Sequence, residues 1–179
     1  MARAVPQSPS SVSSGAWVTH SGSITGQVQV VSGAAIITQV DSEDISTAVT
    51  NATFSIPFTT ETLFVSFNVN FSTIPTGSGT YFAHFRDATT GFRCRLFANA
   101  TGAASGKYRL GLANFSTLST NLTTDLDPST VYKVVLRFVG STNATLWINP
   151  TSESSIVNRA DGTDTTSNTY NGTRYFSLR

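Results

Sequence analysis

From Leu63 to Phe71 the run LFVSFNVNF alternates apolar and polar side chains for most of its length. Successive side chains of an extended strand point to opposite faces, so Leu63, Val65, Phe67, Val69 and Phe71 face a core while Ser66, Asn68 and Asn70 face outward. A helix would scatter both classes around its axis. Similar short runs recur at 16–20, 26–31, 34–39, 52–58, 79–86, 92–98, 107–114, 130–139, 143–149 and 174–179, with turn residues between them. That recurrence predicts an all-β sandwich or barrel. Charged residues make up 12% of the chain, which leaves too few Glu and Lys for exposed helices.

A chain of 179 residues suits one domain with a sizeable core. Residues 1–14 (MARAVPQSPSSVSS) are rich in Ser and Pro and read as a flexible leader, followed by a single domain over 15–179. The leader lacks the apolar stretch of a signal peptide as it stands. A net charge of +1 provides no global field for nucleic acid, and no stretch is apolar for long enough to predict a membrane span. Cys94 is the only cysteine, so it has no intrachain disulfide partner and reads as a small buried apolar residue. The polar stretch 151–173 reads as a surface excursion.

Pairing logic extends the face assignment. In TYFAHFRDATTGFRCRLFA a loop over 88–91 would pair Phe85 with Cys94, Ala83 with Leu96 and Tyr81 with Ala98 on the core side. The opposite face then carries Arg86 beside Arg93, His84 beside Arg95, and Phe82 beside Phe97. A second hairpin turns Tyr108, Leu110 and Leu112 inward and Arg109 outward. VYKVVLRFV buries Tyr132, Val134, Leu136 and Phe138, leaving Lys133, Val135 and Arg137 outward, and the next strand sets Trp147 beside Val135.

The words TYFAHFRD, FRCRLFA, YRLGLAN, DLDPSTVYKVVLRFV and ATLWINP together resemble the laminin-G-like members of the concanavalin A-like lectin/glucanase superfamily, as found in large secreted bacterial surface proteins. The likeness runs over roughly residues 60–179. It implies a two-sheet antiparallel jelly-roll sandwich, noncatalytic and extracellular or at the cell surface, used for glycan binding, adhesion or structure. Family members continue past a strand like YFSLR to a closing strand. The resemblance therefore implies that the sheet edge beside residues 174–179, or the place where a final strand would lie, is completed by the leader or by a neighbouring molecule, which would allow a homo-oligomer or polymer.

Catalytic groups are scarce. Glycoside hydrolysis needs two carboxylates across the bond, and jelly-roll glucanases draw theirs from alternating positions of one strand in an E-x-D-x-E-like run that this chain lacks. Asp41, Glu43 and Asp44 read as a solvated turn, and Asp125 and Asp127 as turn caps before Pro128. Only His20 and His84 can serve as bases, no GxSxG elbow is present, and the two histidines and Cys94 lack zinc-ligand spacing. Calcium is the one cofactor left open, through loop carbonyls with Asp41, Asp44, Asp161 or Asp164, DGTD at 161–164 being the stretch that suggests such a loop, against the plainer reading of an Asp-Gly turn.

The outward residues Phe82, His84, Arg86, Arg93, Arg95, Phe97 and Arg109, with Lys133, Arg137 and Trp147 on the equivalent side of another strand pair, combine rings that stack on sugars with guanidiniums that grip carboxylate or sulfate. The expectation is a noncatalytic module for an anionic polysaccharide or surface glycan. A self-assembling fibre or coat subunit is the alternative, and a glycan-active enzyme the third reading. The competing structural reading has the arginines covering sheet surface while Phe82, Phe97 and Trp147 fill a minor core under loops. Seven Asn-x-Ser/Thr sequons, at Asn51, Asn70, Asn99, Asn114, Asn121, Asn143 and Asn171, would mark surface positions if glycosylated.

Overall fold

The computed structural model describes residues 17–22, 24, 27–32, 34–49, 62–77, 79–89, 91–113, 120–139, 143–163 and 172–179. Among them every regular element is a strand: β1 (Val18–Ser21), β2 (Gln29–Val31), β3 (Ala34–Ile36), β4 (Asp44–Ala48), β5 (Thr62–Val69), β6 (Thr80–Arg86), β7 (Phe92–Asn99), β8 (Arg109–Ala113), β9 (Thr120–Asn121), β10 (Tyr132–Val139), β11 (Asn143–Ile148), β12 (Arg159–Thr163) and β13 (Tyr175–Leu178). Seven form one antiparallel sheet in the order β1-β4-β13-β6-β7-β8-β9, four form a second in the order β12-β11-β10-β5, and β2 with β3 makes a separate hairpin. The expected strand at 52–58 and the leader lie outside the described residues. No helix among the described residues is long and apolar enough to cross a membrane.

The inner faces of the two sheets meet in one apolar core. Leu96, Leu110, Leu112, Val134, Leu136 and Leu146 are fully buried there, with Phe85 stacked on Phe138 at 5.8 Å. β5 follows the expected alternation residue by residue, with Leu63, Val65, Phe67 and Val69 packed against the core. Val135 pairs with Trp147, as the sequence predicts.

Three expectations are corrected. First, β6 and β7 pair Ala83 with Leu96, but Tyr81 faces Phe97 and Phe85 faces Arg93, because two irregularities interrupt the ladder. Cys94 sits at one of them with φ 51°, a left-handed backbone uncommon for any residue but glycine. At the other, two successive residues, Phe82 and Ala83, both join the core while Tyr81 turns out. The Phe82 ring meets Phe71 edge-on at 5.2 Å, and the Tyr81 hydroxyl accepts a hydrogen bond from Arg179. Each ring thus takes the side that suits its polarity.

Second, residues 44–48 are a strand, not the end of a solvated turn. Glu43 and Asp44 are buried. Glu43 accepts hydrogen bonds from the Val28 amide at 2.9 Å and from the Thr19 hydroxyl at 2.5 Å, which ties the β2–β3 hairpin and β1 to β4. Third, β13 is an interior strand, with β4 on one side and β6 on the other. The segment that completes the sheet beside residues 174–179 is β4 of the same chain, so neither the leader nor a neighbouring molecule is needed there. In the 151–173 excursion, Arg159–Thr163 forms the edge strand β12.

Candidate functional site

The outer face of the larger sheet carries a layer of polar and aromatic side chains. Strand order brings Ser46 (β4), Ser177 (β13) and His84 (β6) side by side, because Ser177 pairs with Ser46 across one ladder and with His84 across the next. All three are fully buried. His20 of the edge strand β1 reaches them, its Nδ1 lying 2.6 Å from Ser46 Oγ, and Ser46 Oγ is in turn 2.8 Å from Ser177 Oγ. Arg86 donates from Nε to Ser46 Oγ at 3.0 Å and from Nη1 to the Asp87 carbonyl.

Aromatic rings and guanidinium groups overlie this floor. Arg86 stacks on Tyr175 at 4.1 Å, Arg95 on Tyr81 at 4.6 Å and on Phe92 at 4.9 Å, and Arg179 on Tyr81 at 4.7 Å. Tyr81, Phe92, Tyr175, Arg95 and Arg179 are partly exposed. Asp44, held by a hydrogen bond from the Ser21 hydroxyl, lies 3.9 Å from Arg179. Its carboxyl is held above the usual range, because burial outweighs the pull of Ser21 and of Arg179, Arg95 and Arg86. His20 is pushed down to about 4 by burial and then by the Arg86 charge, and His84 well below its ordinary value by burial, His20 and the arginines. Both imidazoles are neutral at pH 7. One ring nitrogen of each and a carboxylate oxygen of Asp44 lie within 4.8 Å of one another.

Of the residues expected outward on one surface, the structure gathers His84, Arg86, Arg95 and Phe97, the last packed on Tyr81 at 5.9 Å. Phe82 is corrected into the core by the β6 irregularity. Arg93 is buried, and its guanidinium bonds back to the Phe92 carbonyl. Arg109, at the start of β8 in the same sheet, is held in an ion pair with Asp125 at 2.6 Å. Lys133, Arg137 and Trp147 belong to the smaller sheet and so face the opposite side of the sandwich. There Trp147 is 1% exposed beneath residues 150–155, donating to the Ser155 carbonyl, while Arg137 bonds Glu153 and Thr145. A hollow of about 250 Å³ beside them is lined by Phe64, Lys133, Val135 and Pro150.

Asp161 lies in β12, where Arg159 and Thr145 donate to it. Asp164 lies outside the described residues. Asn99, one of the sequon residues, is buried and shares a hydrogen bond with Asn121, so it does not mark an accessible surface.

Alternation along the sequence points Tyr81 inward, Asp44 reads there as a loop residue, and no motif in the sequence singles out Phe92, Ser46, Tyr175, Ser177 or Arg179. The period-2 spacing of Asp44 and Ser46 was the available signal. No protein-family model matches the chain, and no curated protein matches it in sequence. What the structure defines is an all-β, two-sheet antiparallel sandwich with a basic and aromatic layer on one outer face. A fold of this kind does not fix function.

Proposed function

We propose that the protein is a noncatalytic extracellular module that binds an anionic polysaccharide on the outer face of its seven-stranded sheet. One observation carries the reading: Arg86, Arg95 and Arg179 each stack on an aromatic ring around a single buried carboxylate, Asp44. A guanidinium lying on a ring is held flat, with its N–H edge directed sideways, the geometry that grips a carboxylate or sulfate. Tyr81, Phe92 and Tyr175 supply rings for stacking against the sugar. The laminin-G-like resemblance supports the same use of the fold and the extracellular setting. In the alternative reading, a fibre or coat subunit, copies would join at the outermost strands β1, β9, β5 or β12, since β13 is paired on both sides.

Affinity electrophoresis in gels containing uronic-acid or sulfated polysaccharides tests the proposal. The protein is expected to be retarded by at least one of them. Arg95→Ala or Arg179→Ala should weaken that binding by about 10-fold or more, the effect of losing one charge-assisted hydrogen bond. Unretarded migration in every acidic gel would overturn the reading.

A further inference from the structure

We propose that His20, His84 and Asp44 form a binding site for one divalent metal ion of the zinc type, with an anion as the remaining ligand. The inference stands on an observation separate from the glycan reading: buried ligand-type atoms that nothing among the described residues satisfies. Both ring nitrogens of fully buried His84, Nε2 of His20 and Oδ1 of Asp44 make no hydrogen bond among the described residues. Buried polar atoms are normally paired, and orphans on three side chains that bring ligand-type atoms within 4.8 Å of one another indicate a partner that belongs there.

The chemistry of the donors fits that partner. Two neutral imidazoles and a carboxylate form a three-ligand set with room for a fourth, the arrangement of open zinc centres. The hydrogen bonds around Ser46 allow His20 to serve. Arg86 Nε donates to Ser46 Oγ, and with the Ser46 proton given to Ser177 Oγ, His20 Nδ1–H donates to Ser46 as well. His20 Nε2 is then a bare lone pair. An imidazole that donates its other N–H to an oxygen is the usual outer support of a metal-bound histidine.

One ligand-type atom from each of the three side chains lies within 4.8 Å of the other two. Ligands at about 2.0–2.2 Å around a tetrahedral ion stand about 3.4 Å apart, so binding draws atoms up to 4.8 Å apart together by as much as about 1.4 Å. The flanking arginines set the last requirement. A bare dication among three guanidiniums is disfavoured, whereas an ion that carries an anion is not.

The experiment titrates metal-free, full-length protein with Zn2+ in a non-coordinating buffer, with and without millimolar acetate. One saturable equivalent is expected, with a rise in melting temperature and tighter binding in acetate. Co2+ in its place should give the strong visible absorption of a four-coordinate ion. His84→Phe and His20→Gln should each weaken Zn2+ binding by at least about 10-fold while still melting cooperatively. If His84→Phe fails to fold, His20→Gln decides, because His20 is half-buried on an edge strand. Absence of saturable uptake by the parent protein, or affinity unchanged by His20→Gln, overturns the site. Affinity indifferent to acetate overturns the anionic ligand.

Discussion

Cys94 shows how far a single residue can be read without coordinates. Its burial follows from alternation along FRCRLFA, and it is fully buried. Its left-handed φ of 51° is invisible to alternation, because a bulge inserts one residue without altering composition. Burial pushes the thiol well above its usual range, so the thiolate that reacts with disulfide reagents is scarce. The native protein should react with a thiol reagent at least about 100-fold more slowly than the urea-unfolded chain. Comparable rates would show that β7 does not bury this side chain.

His20 and His84 lead to a pH prediction of definite sign. Their folded pKa values are depressed, His20 to about 4, whereas an unfolded chain titrates histidine near 6.5. Between those values the unfolded state binds protons that the folded state refuses, so stability is greatest above about 6.5 and is lost as pH falls towards 4. Asp44 acts in the opposite direction near the bottom of that window, its raised pKa favouring the folded state at low pH. With a chelator present, the melting temperature should fall from pH 7 to 4.5, and the fall should be shallower in His84→Phe. A flat profile in the parent protein would contradict the burial of these rings.

At the scale of elements, the legible strands are those with apolar side chains on their inner face. β5, β8, β10 and β11 stand out because apolar side chains recur every second position. β4 (DISTA) turns Ile45 and Thr47 inward and Asp44 and Ser46 outward, so polar residues dominate and mimic a turn. β12 (RADGT) places only Ala160 in the core cluster and contains the Asp-Gly pair that normally signals a turn. Misreading β4 also hid the site, since it supplies Asp44 and Ser46.

The entrance to β6 sets a local requirement. Gly79 has φ 81°, and a Cβ there would lie 2.1 Å from the Ala98 carbonyl oxygen. Gly79→Ala therefore combines strain with a backbone clash and should destabilise by about 2 kcal/mol or more in urea unfolding. Leu136→Ala, at a fully buried position of β10, should cost roughly 2 to 5 kcal/mol. A loss below about 1 kcal/mol in either variant would contradict the β6–β7 or β5–β10 packing described above.

For the whole molecule, two sheets packed face to face give two outer faces that look away from each other. Of the ten residues read from the sequence as ligand-binding, Phe82 lies in the core, six others belong to the larger sheet and three to the smaller. The larger sheet keeps a basic, ring-lined layer, while on the smaller sheet Arg137 is paired and Trp147 is covered. Only the layering of the sandwich separates them, which pairing within hairpins cannot reveal. The larger sheet's outer face is the proposed binding face. Amide chemical-shift mapping during titration with an acidic oligosaccharide, such as an oligouronate, tests it most directly. Shifts concentrated on β6, β7 and β13 around Tyr81, Arg95 and Ser177 are the predicted result; shifts centred on β10 and β11, or none at saturating ligand, would contradict it.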